Sequence, residues 1–328
     1  MTDTINWGII GTGNIASKFA EGLSAIDDAA LVAVGSRSLN TADAFAKQFG
    51  VPRAHASYEA LVNDPEVDVI YISSPHPMHK ENALLCLNAG KPILCEKPFT
   101  LNARDTEDVV NVARQKGLFL MEAMWTRFLP TVVKVRELLQ AGEIGEIRMV
   151  TADFGFRFDG DDEHRLLNPH LGGGALLDVG IYPVSFASMV YGAQPAKIDT
   201  QVVLGHTGVD ELGAMLFQYE NGQMANLYTT LQIDTPQEAT IVGTEGRIRL
   251  DSPFWSGEIV NLSKPGKGDD VMHFPMNGNG YNYEASEVGK CLRAGKLESD
   301  IMPLDESIEI MHTMDKLRAE WGLVYPGE

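Results

Sequence analysis

A glycine-rich turn close to the first residue restricts the possible fold more than any other feature of the chain. An apolar run at residues 5–10 is followed at once by Gly11, Gly13 and Ala16, in the spacing G-x-G-x-x-A. Apolar residues then recur at four-residue spacing as far as Leu23, which predicts an amphipathic helix. A strand, this turn and a helix in direct succession predict a dinucleotide-binding site, because the turn lets a pyrophosphate approach the backbone at the helix N-terminus.

The predicted cofactor contacts within this turn follow from what each position must do. Gly11 makes the tight turn, Gly13 allows the pyrophosphate to approach the backbone, and Ala16 takes the position where helix and strand pack closely. Asn14 and Ile15 lie between Gly13 and Ala16, and we predict that they contact the cofactor as part of the same turn.

Strands and helices then alternate as far as residue 121. Three predicted helices end just before a glycine, at Gly50, Gly90 and Gly117, as expected for a left-handed C-terminal stop. Repeated βα units with short loops predict a doubly wound parallel sheet, so residues 1–122 are assigned to a nucleotide-binding domain of this α/β class. The predicted strands are 5–10, 30–36, 67–73, 93–96 and 118–121, and the later predicted helices are 41–49, 78–89 and 102–116.

The end of the second predicted strand indicates which nicotinamide dinucleotide binds. An NAD site usually places Asp or Glu there, on the ribose 2′-hydroxyl, but this strand ends in Ser36 and Arg37 with no acid. A guanidinium can bind a 2′-phosphate, and a serine hydroxyl can donate to it. The sequence therefore predicts NADP as the preferred cofactor, with NAD as the second candidate.

A polar segment with two histidines follows the predicted strand at 67–73. It contains Ser74, Pro75, His76 and His79. No carboxylate or cysteine accompanies the histidines, so we predict that this segment lines the cofactor site and that the chain binds no metal there. Exposed histidines at the start of a helix are the simpler alternative.

The predicted strand at 93–96 ends in an acid, a base and a proline, namely Glu96, Lys97 and Pro98. Ligands of open α/β sheets bind outside the carboxyl ends of the strands, so Glu96 and Lys97 are predicted to face the ligand. Pro98 fixes its own φ and biases Lys97 away from helix, which holds the lysine at the strand end. On these residues alone, an ordinary solvated lysine at a strand end is the favoured interpretation.

The pattern changes after residue 122, where long β-rich runs replace the alternation. Such runs predict a largely antiparallel open sheet, and residues 123–328 are assigned to an α/β domain for substrate binding and oligomerisation. Trp125, Arg127 and Phe154 are predicted substrate contacts, the first two because ligand sites favour domain junctions. Packing is the alternative for these aromatic residues. The predicted strands are 147–158, 196–204, 213–219, 223–233, 239–243 and 247–250.

A glycine run at residues 172–174 precedes a predicted helix that continues to about Tyr191. Asp178 and Tyr182 lie four residues apart and are expected on one face of this helix. A carboxylate beside a phenol can act as an acid/base pair, because the aspartate orients the tyrosine or a substrate hydroxyl. On this segment alone, an aspartate favoured by the helix dipole and a core tyrosine are the preferred interpretation.

Composition excludes several classes of partner. A formal net charge of −19 argues against binding to nucleic acid or to anionic membranes, because an acidic surface repels phosphates. The three cysteines lack metal-ligand spacing, and neither a signal peptide nor an apolar run of roughly 18 residues is evident, so we expect a cytoplasmic protein. An open sheet exposes a large apolar face, which predicts a homodimer or a tetramer.

Three motifs together resemble the glucose–fructose oxidoreductase/inositol dehydrogenase family, Gfo/Idh/MocA. They are the turn at 11–16, the Glu-Lys-Pro sequence at 96–98 and the segment 172–182, and the resemblance covers essentially the whole chain. The segments 121–130 and 320–326 are similar to the branch that contains dimeric dihydrodiol dehydrogenases and NADP-dependent D-xylose dehydrogenases. Many relatives carry histidine where this chain has Tyr182, which also points to that branch.

The resemblance implies a Rossmann domain joined to an open-sheet α/β domain, with catalytic roles for Lys97, Asp178 and Tyr182 and a cofactor contact from Arg165. The implied activity is hydride transfer between NADP and an aldose such as D-xylose, with a trans-dihydrodiol as the second candidate. Tyr182 is the expected base with Lys97 stabilising its phenolate, or the two roles are reversed. The alternatives are a glycosidase that retains NAD and a non-catalytic regulator that senses NADP.

Overall fold

The computed structural model describes residues 4–328, which form two compact units. The first unit contains residues 4–128 together with Asn277–Ile308, and the second contains Leu129–Met276 together with Glu309–Glu328. The sequence predicted one boundary after residue 122, whereas the chain also returns to the first unit over Asn277–Ile308. No sequence pattern indicates this return, because helical periodicity does not show which unit a helix packs against.

The strands and helices of the described residues are numbered here in chain order. The strands are β1 (Ile5–Ile10), β2 (Ala29–Gly35), β3 (Arg53–His55), β4 (Val69–Ile72), β5 (Ile93–Glu96), β6 (Leu120–Ala123), β7 (Ile147–Gly155), β8 (Lys197–Leu204), β9 (Asp210–Gln218), β10 (Met224–Thr230), β11 (Ala239–Gly243), β12 (Arg247–Leu250), β13 (Ile259–Ser263) and β14 (Asp270–His273). The helices are α1 (Asn14–Leu23), α2 (Leu39–Phe49), α3 (Tyr58–Val62), α4 (His79–Asn88), α5 (Ala103–Lys116), α6 (Pro130–Gln140), α7 (Ile181–Tyr191), α8 (Tyr281–Arg293) and α9 (Leu304–Trp321).

The first unit is built on a parallel sheet of six strands in the order β3-β2-β1-β4-β5-β6. This confirms the predicted doubly wound architecture. The central strand β4 is apolar and buried along its whole length, as expected when helices cover both faces of a parallel sheet. The strand order reverses between β1 and β4, and open α/β sheets bind ligands at such a switch point.

The second unit is built on an eight-stranded sheet in the order β14-β13-β12-β11-β7-β10-β9-β8. Its neighbouring strands are antiparallel except for the pair β7 and β10, which is parallel. The mostly antiparallel sheet that the sequence predicted is confirmed. Alternate residues of β8 are exposed, which leaves one face of this edge open. The predicted homodimer or tetramer stays a prediction, and the molar mass in solution would test it.

The segment Pro169–Tyr191 lies against this sheet. By length and hydropathy alone it could cross a membrane, contrary to the expectation that no run of the chain was apolar enough. In the structure 94% of its apolar window is buried inside the protein. A core helix passes the same test, because it is apolar on all sides where it is covered.

Candidate active site

The glycine turn after β1 has the geometry that the sequence predicted. Gly11 has a φ of +101°, and a Cβ there would lie 2.8 Å from the Ser73 Oγ, so only glycine fits. Gly13 directly precedes α1 and is exposed, and a Cβ there would meet no atom within 4 Å among the described residues. Asn14 is exposed and Ile15 is half-buried beside it. Backbone N–H groups at this helix N-terminus therefore face open space, which fits a pyrophosphate.

The end of β2 carries a positive charge and no carboxylate. Ser36 is buried, and its hydroxyl lies 2.6 Å from the Thr41 Oγ1. Arg37 is exposed. Burial raises the pKa of the Tyr58 phenol, and the charge of Arg37 lowers this pKa by a smaller amount. The Arg37 guanidinium therefore lies close enough to Tyr58 to interact with it. An exposed guanidinium at this strand end fits a 2′-phosphate better than a ribose hydroxyl.

In the segment after β4, His79 lies in the interior of the first unit. Its imidazole is fully buried, with Nε2 2.8 Å from the Ser74 carbonyl oxygen and Nδ1 3.0 Å from the Pro98 carbonyl oxygen. Burial lowers the pKa of His79, and the nearby Lys97 charge acts in the same direction. The His79 ring therefore tethers two loops, and its predicted cofactor contact stays a prediction. Pro75 and His76 are the accessible residues of the segment.

Lys97 is fixed through its backbone at the end of β5. The Tyr71 hydroxyl donates to Glu96 Oε1, and the Lys97 N–H donates to Glu96 Oε2 over 3.2 Å. Glu96 itself is buried, while Lys97 is only partly buried. A buried carboxylate needs such donors, so the backbone direction at Lys97 depends on Glu96 remaining in place.

A second carboxyl group, Glu284 on α8, is buried near Glu96 and was not singled out from the sequence. Its side chain is fully buried, and no hydrogen-bond partner for either oxygen is found within residues 4–328. Burial raises its pKa well above the ordinary value, and the charge of Glu96 raises it further. Both effects favour the protonated form of Glu284, so this side chain keeps its proton in the folded chain.

The junction residues at the end of β6 serve packing within the first unit. Arg127 is 3% exposed, and its guanidinium contacts both carboxylate oxygens of Glu306, at 2.6 and 3.1 Å. The Arg127 charge is therefore paired within the first unit, and its predicted substrate contact stays a prediction. Trp125 stacks on Tyr281 with ring centroids 4.7 Å apart. Its predicted substrate contact stays a prediction.

In the second unit, Asp178 is paired with Arg165. Arg165 Nη1 lies 2.7 Å from Asp178 Oδ1, and the aspartate is much the more buried of the two. Asp178 belongs to a π-helical segment, Leu176–Gly180, that precedes α7. The sequence predicted one continuous α-helix here. The wider turn arises from i→i+5 hydrogen bonds, a form that is frequent at functional sites.

Aromatic rings surround Tyr182, the second residue of α7. Phe154 meets the Tyr182 ring edge-to-face at 5.2 Å, and it stacks on Trp255 at 4.7 Å with the two planes 6° apart. Phe154 was predicted from the sequence, whereas Trp255 was not. Trp255 lies after β12 on an irregular segment, and only its apolar size could have drawn attention to it. Phe154 and Tyr182 are each 7% exposed and Trp255 is half-buried, so Trp255 is the most accessible of the three rings.

The described residues contain neither a metal-binding cluster nor a reactive thiol. Within residues 4–328, no cluster of three or more His, Cys, Asp or Glu side chains has a metal-binding arrangement. Cys86, Cys95 and Cys291 are buried free thiols. Burial raises the pKa of each of them, so they are protonated and unreactive at neutral pH.

Fold and site together define an oxidoreductase with a dinucleotide-binding Rossmann unit. A family model described as an oxidoreductase family with an NAD-binding Rossmann fold matches residues 5–124, and a GFO/IDH/MocA C-terminal domain model matches residues 132–249. The chain therefore belongs to the Gfo/Idh/MocA family, as the sequence motifs indicated.

Curated relatives match over nearly the whole chain. The trans-1,2-dihydrobenzene-1,2-diol dehydrogenase of Mus musculus is 40% identical and that of Xenopus tropicalis is 38% identical. These alignments cover 98% of this chain and 98% and 99% of the respective relatives.

Solved structures share the same architecture. A 3-ketoreductase from Actinomadura kijaniata, in complex with NADP and TDP-benzene, is 27% identical with a TM-score of 0.84 over 97% of this chain and 98% of that one. An aldose-aldose oxidoreductase from Caulobacter crescentus, complexed with glycerol, has a TM-score of 0.89 over the same shares at 22% identity. The second likeness shows the fold alone.

The neutral state of Glu284 leads to a prediction about stability. Its pKa in the folded chain lies well above the ordinary value of 4.5, so the folded state keeps a proton that the unfolded state releases. Stability attributable to this group is therefore present below pH 4.5 and is lost as pH rises toward the raised pKa. Glu284→Gln should abolish that loss, giving the variant an advantage of about 1–3 kcal/mol that develops between about pH 5 and pH 8.

Urea unfolding of the wild type and of Glu284→Gln, at about pH 5 and about pH 8, measures this difference in stability. Glu66→Gln, which alters an exposed carboxylate of the same unit, is the matched control and should show no such trend. An advantage of Glu284→Gln that is the same at both pH values, or that shrinks as pH rises, contradicts the assignment of the proton.

Proposed function

We propose that this protein is an NADP-dependent dehydrogenase that oxidises the CH–OH group of a cyclic vicinal diol or sugar. The observation that carries the proposal is Lys97, held by the buried Glu96 at the end of β5 in the same parallel sheet whose first turn is Gly11–Gly13. Ligands of such sheets bind at the carboxyl ends of the strands. Lys97 is partly buried at this edge, and its ammonium group is chemically suited to donate to a substrate oxygen.

The residues that would hold the cofactor fit a phosphorylated dinucleotide. The exposed N-terminus of α1 receives the pyrophosphate, and Arg37 at the end of β2 receives the 2′-phosphate. Pro75 and His76 are the accessible residues after β4, beside the switch point of the sheet. When bound, the nicotinamide supplies the hydride acceptor.

The chain's own residues handle the proton and orient the substrate. In the second unit, Tyr182 is the proposed acceptor of the proton from the substrate hydroxyl. In the first unit, the Lys97 ammonium is the proposed hydrogen-bond donor to the substrate oxygen. Asp178, whose Oδ1 is 2.7 Å from Arg165 Nη1, is the proposed hydrogen-bond acceptor for a second substrate hydroxyl. A vicinal diol offers that second hydroxyl. Trp255, which stacks on the buried Phe154, is the proposed apolar surface against which a flat or chair-shaped ring packs.

The choice between diol and aldose rests on the relatives and on the aromatic surface at Trp255. Relatives named as dihydrodiol dehydrogenases are 38–40% identical over almost the entire chain, which favours a trans-dihydrodiol. This reverses the order expected from the sequence, where an aldose such as D-xylose came first. The aldose is kept as the second candidate, because sugars also pack their C–H faces on an aromatic plane such as that of Trp255.

The activity is tested by the absorbance of the reduced nicotinamide during incubation with NADP and either a trans-dihydrodiol or D-xylose. We expect net reduction with both and a kcat/KM at least about tenfold higher for the dihydrodiol. Lys97→Met should lower kcat by about a hundredfold or more and leave NADP affinity within a few-fold, because proton-transfer groups contribute that much. Lys116→Met, at an exposed lysine of the same unit, is the control and should behave as the wild type.

Other outcomes of the same assay would identify other functions. Product formation without net reduction would identify a glycosidase that recycles its cofactor. Binding of NADP with no product from any sugar or diol would identify a sensor. Wild-type kcat in Lys97→Met would contradict the role of that lysine, whichever substrate is used.

The preference for NADP is tested by Arg37→Asp, which places a carboxylate where the 2′-phosphate should bind. We expect the affinity for NADP to fall by at least about tenfold and the affinity for NAD to change much less, since like charges repel. Quenching of intrinsic fluorescence by each dinucleotide gives both constants. Arg104→Asp, on the exposed side of α5, controls for net charge. Tighter binding of NAD than NADP by the wild type, or an unchanged preference in the variant, would show that Arg37 does not select the cofactor.

A further inference from the structure

Two side chains from distant parts of the second unit hold the start of the π-helical segment. Leu176 N donates to Asp210 Oδ2 over 2.6 Å, so the first strand residue of β9 caps this helix in place of a local side chain. The Tyr325 hydroxyl donates to the Gly173 carbonyl oxygen over 2.6 Å. Both contacts fall within four residues of each other in the chain, immediately before Asp178.

The close fit at this point depends on Gly174. Its φ is +116°, and a Cβ there would lie 2.1 Å from Asp210 Oδ1. Only glycine permits the backbone to approach the aspartate so closely. Asp210 is fully buried, and no hydrogen-bond partner of its Oδ1 is found among residues 4–328. The carboxyl group is therefore committed to the helix start, where the N-terminal dipole favours it.

Tyr325 is itself held in place by a set of polar contacts. Glu328 accepts hydrogen bonds from Arg318 at 2.7 and 3.0 Å and from the Tyr325 N–H at 2.9 Å. The Arg318 guanidinium also lies over the Tyr325 ring, 5.1 Å from its centroid. Tyr325 is 1% exposed although its neighbour Val324 is 71% exposed. The segment after α9 thus directs one phenol inward and leaves the residue before it in solvent.

We infer that Asp210 and Tyr325 are positioning residues, which hold the π-helical segment in the form that presents Asp178 and Tyr182 to the substrate. A π-helical turn is rare and persists only where its surroundings stabilise it. Asp210 and Tyr325 supply that stabilisation at the two sides of the Gly174 turn. The inference rests on the proposed function for its catalytic consequence, and on the contacts alone for its structural part.

Tyr325→Phe tests the inference, because it removes one hydroxyl and keeps the ring under Arg318. We expect kcat to fall about tenfold while the dissociation constant of NADP stays within twofold. Tyr191→Phe is the matched control. Tyr191, at the far end of α7, also donates its hydroxyl to a backbone carbonyl, that of Met224, so its loss costs comparable stability. Its kcat should stay within twofold of the wild type, which separates positioning from a general loss of stability.

Asp210 gives a second comparison that does not depend on stability alone. Asp210→Asn keeps an oxygen that can accept from Leu176 N, so it should retain kcat within about threefold, whereas Asp210→Ala should lose kcat at least as strongly as Tyr325→Phe. Should Asp210→Ala fail to fold, Tyr325→Phe and Asp210→Asn still decide the matter. Wild-type kcat in Tyr325→Phe, or an equal loss in Tyr191→Phe, overturns the inference.

Hydrogen exchange separates failure of this inference from failure of the proposed function. In Tyr325→Phe, the amides of residues 172–182 should exchange faster than in the wild type, and those of α7 near Tyr191 should not. Exchange measured by mass spectrometry needs no substrate. If the wild type oxidises no sugar or diol, the proposed function is wrong. If exchange over residues 172–182 is unchanged in Tyr325→Phe, the positioning role is wrong, whatever the activity.

Discussion

The burial of Glu96 is the constraint on which the site in the first unit depends. A carboxylate removed from water is tolerated only when donors replace its hydration, and these come from Tyr71 on β4 and from the Lys97 backbone after β5. The bond from Tyr71 joins β4 to the end of β5, and the bond from the Lys97 N–H fixes the backbone where Lys97 begins.

The charge of the buried Glu96 also affects the protonation of Glu284. Burial and the nearby charge of Glu96 both disfavour a negative charge on Glu284, so the buried Glu284 keeps its proton. The second unit also contains buried acidic side chains, and other groups interact with them. There the buried Asp210 offers its carboxyl group to the start of a helix, and Arg165 balances Asp178. In both units a buried acid orders the backbone that presents the reactive side chains.

Local patterns in the sequence predicted the parts of the structure that depend on local geometry. The turn at Gly11 and Gly13, the strand ends at Arg37 and Lys97, and the mixture of sheets follow from periodicity, glycine positions and the edge at which parallel strands end. Each of these features is determined by residues that are close neighbours in the chain, so it can be deduced without knowing the fold.

The features that the sequence did not reveal depend on partners far away in the chain. His79 is tethered to the Pro98 carbonyl, and Arg127 is paired with Glu306, which lies on a helix of the returning segment. The stacking of Trp255 on Phe154 likewise joins residues about a hundred positions apart. No local pattern marks these partners. The π-helical turn was missed for the same reason, since its stabilising contacts come from Asp210 and Tyr325.

The central claim is that the protein moves a hydride from a substrate carbon directly to NADP. A cyclic trans-diol carrying deuterium at the carbinol carbons tests it most directly, with mass spectrometry of the cofactor after one turnover. The account predicts that the reduced nicotinamide gains deuterium from the substrate and that none is lost to water. Reduced cofactor that contains only solvent hydrogen, or product formed with no labelled cofactor, would contradict it.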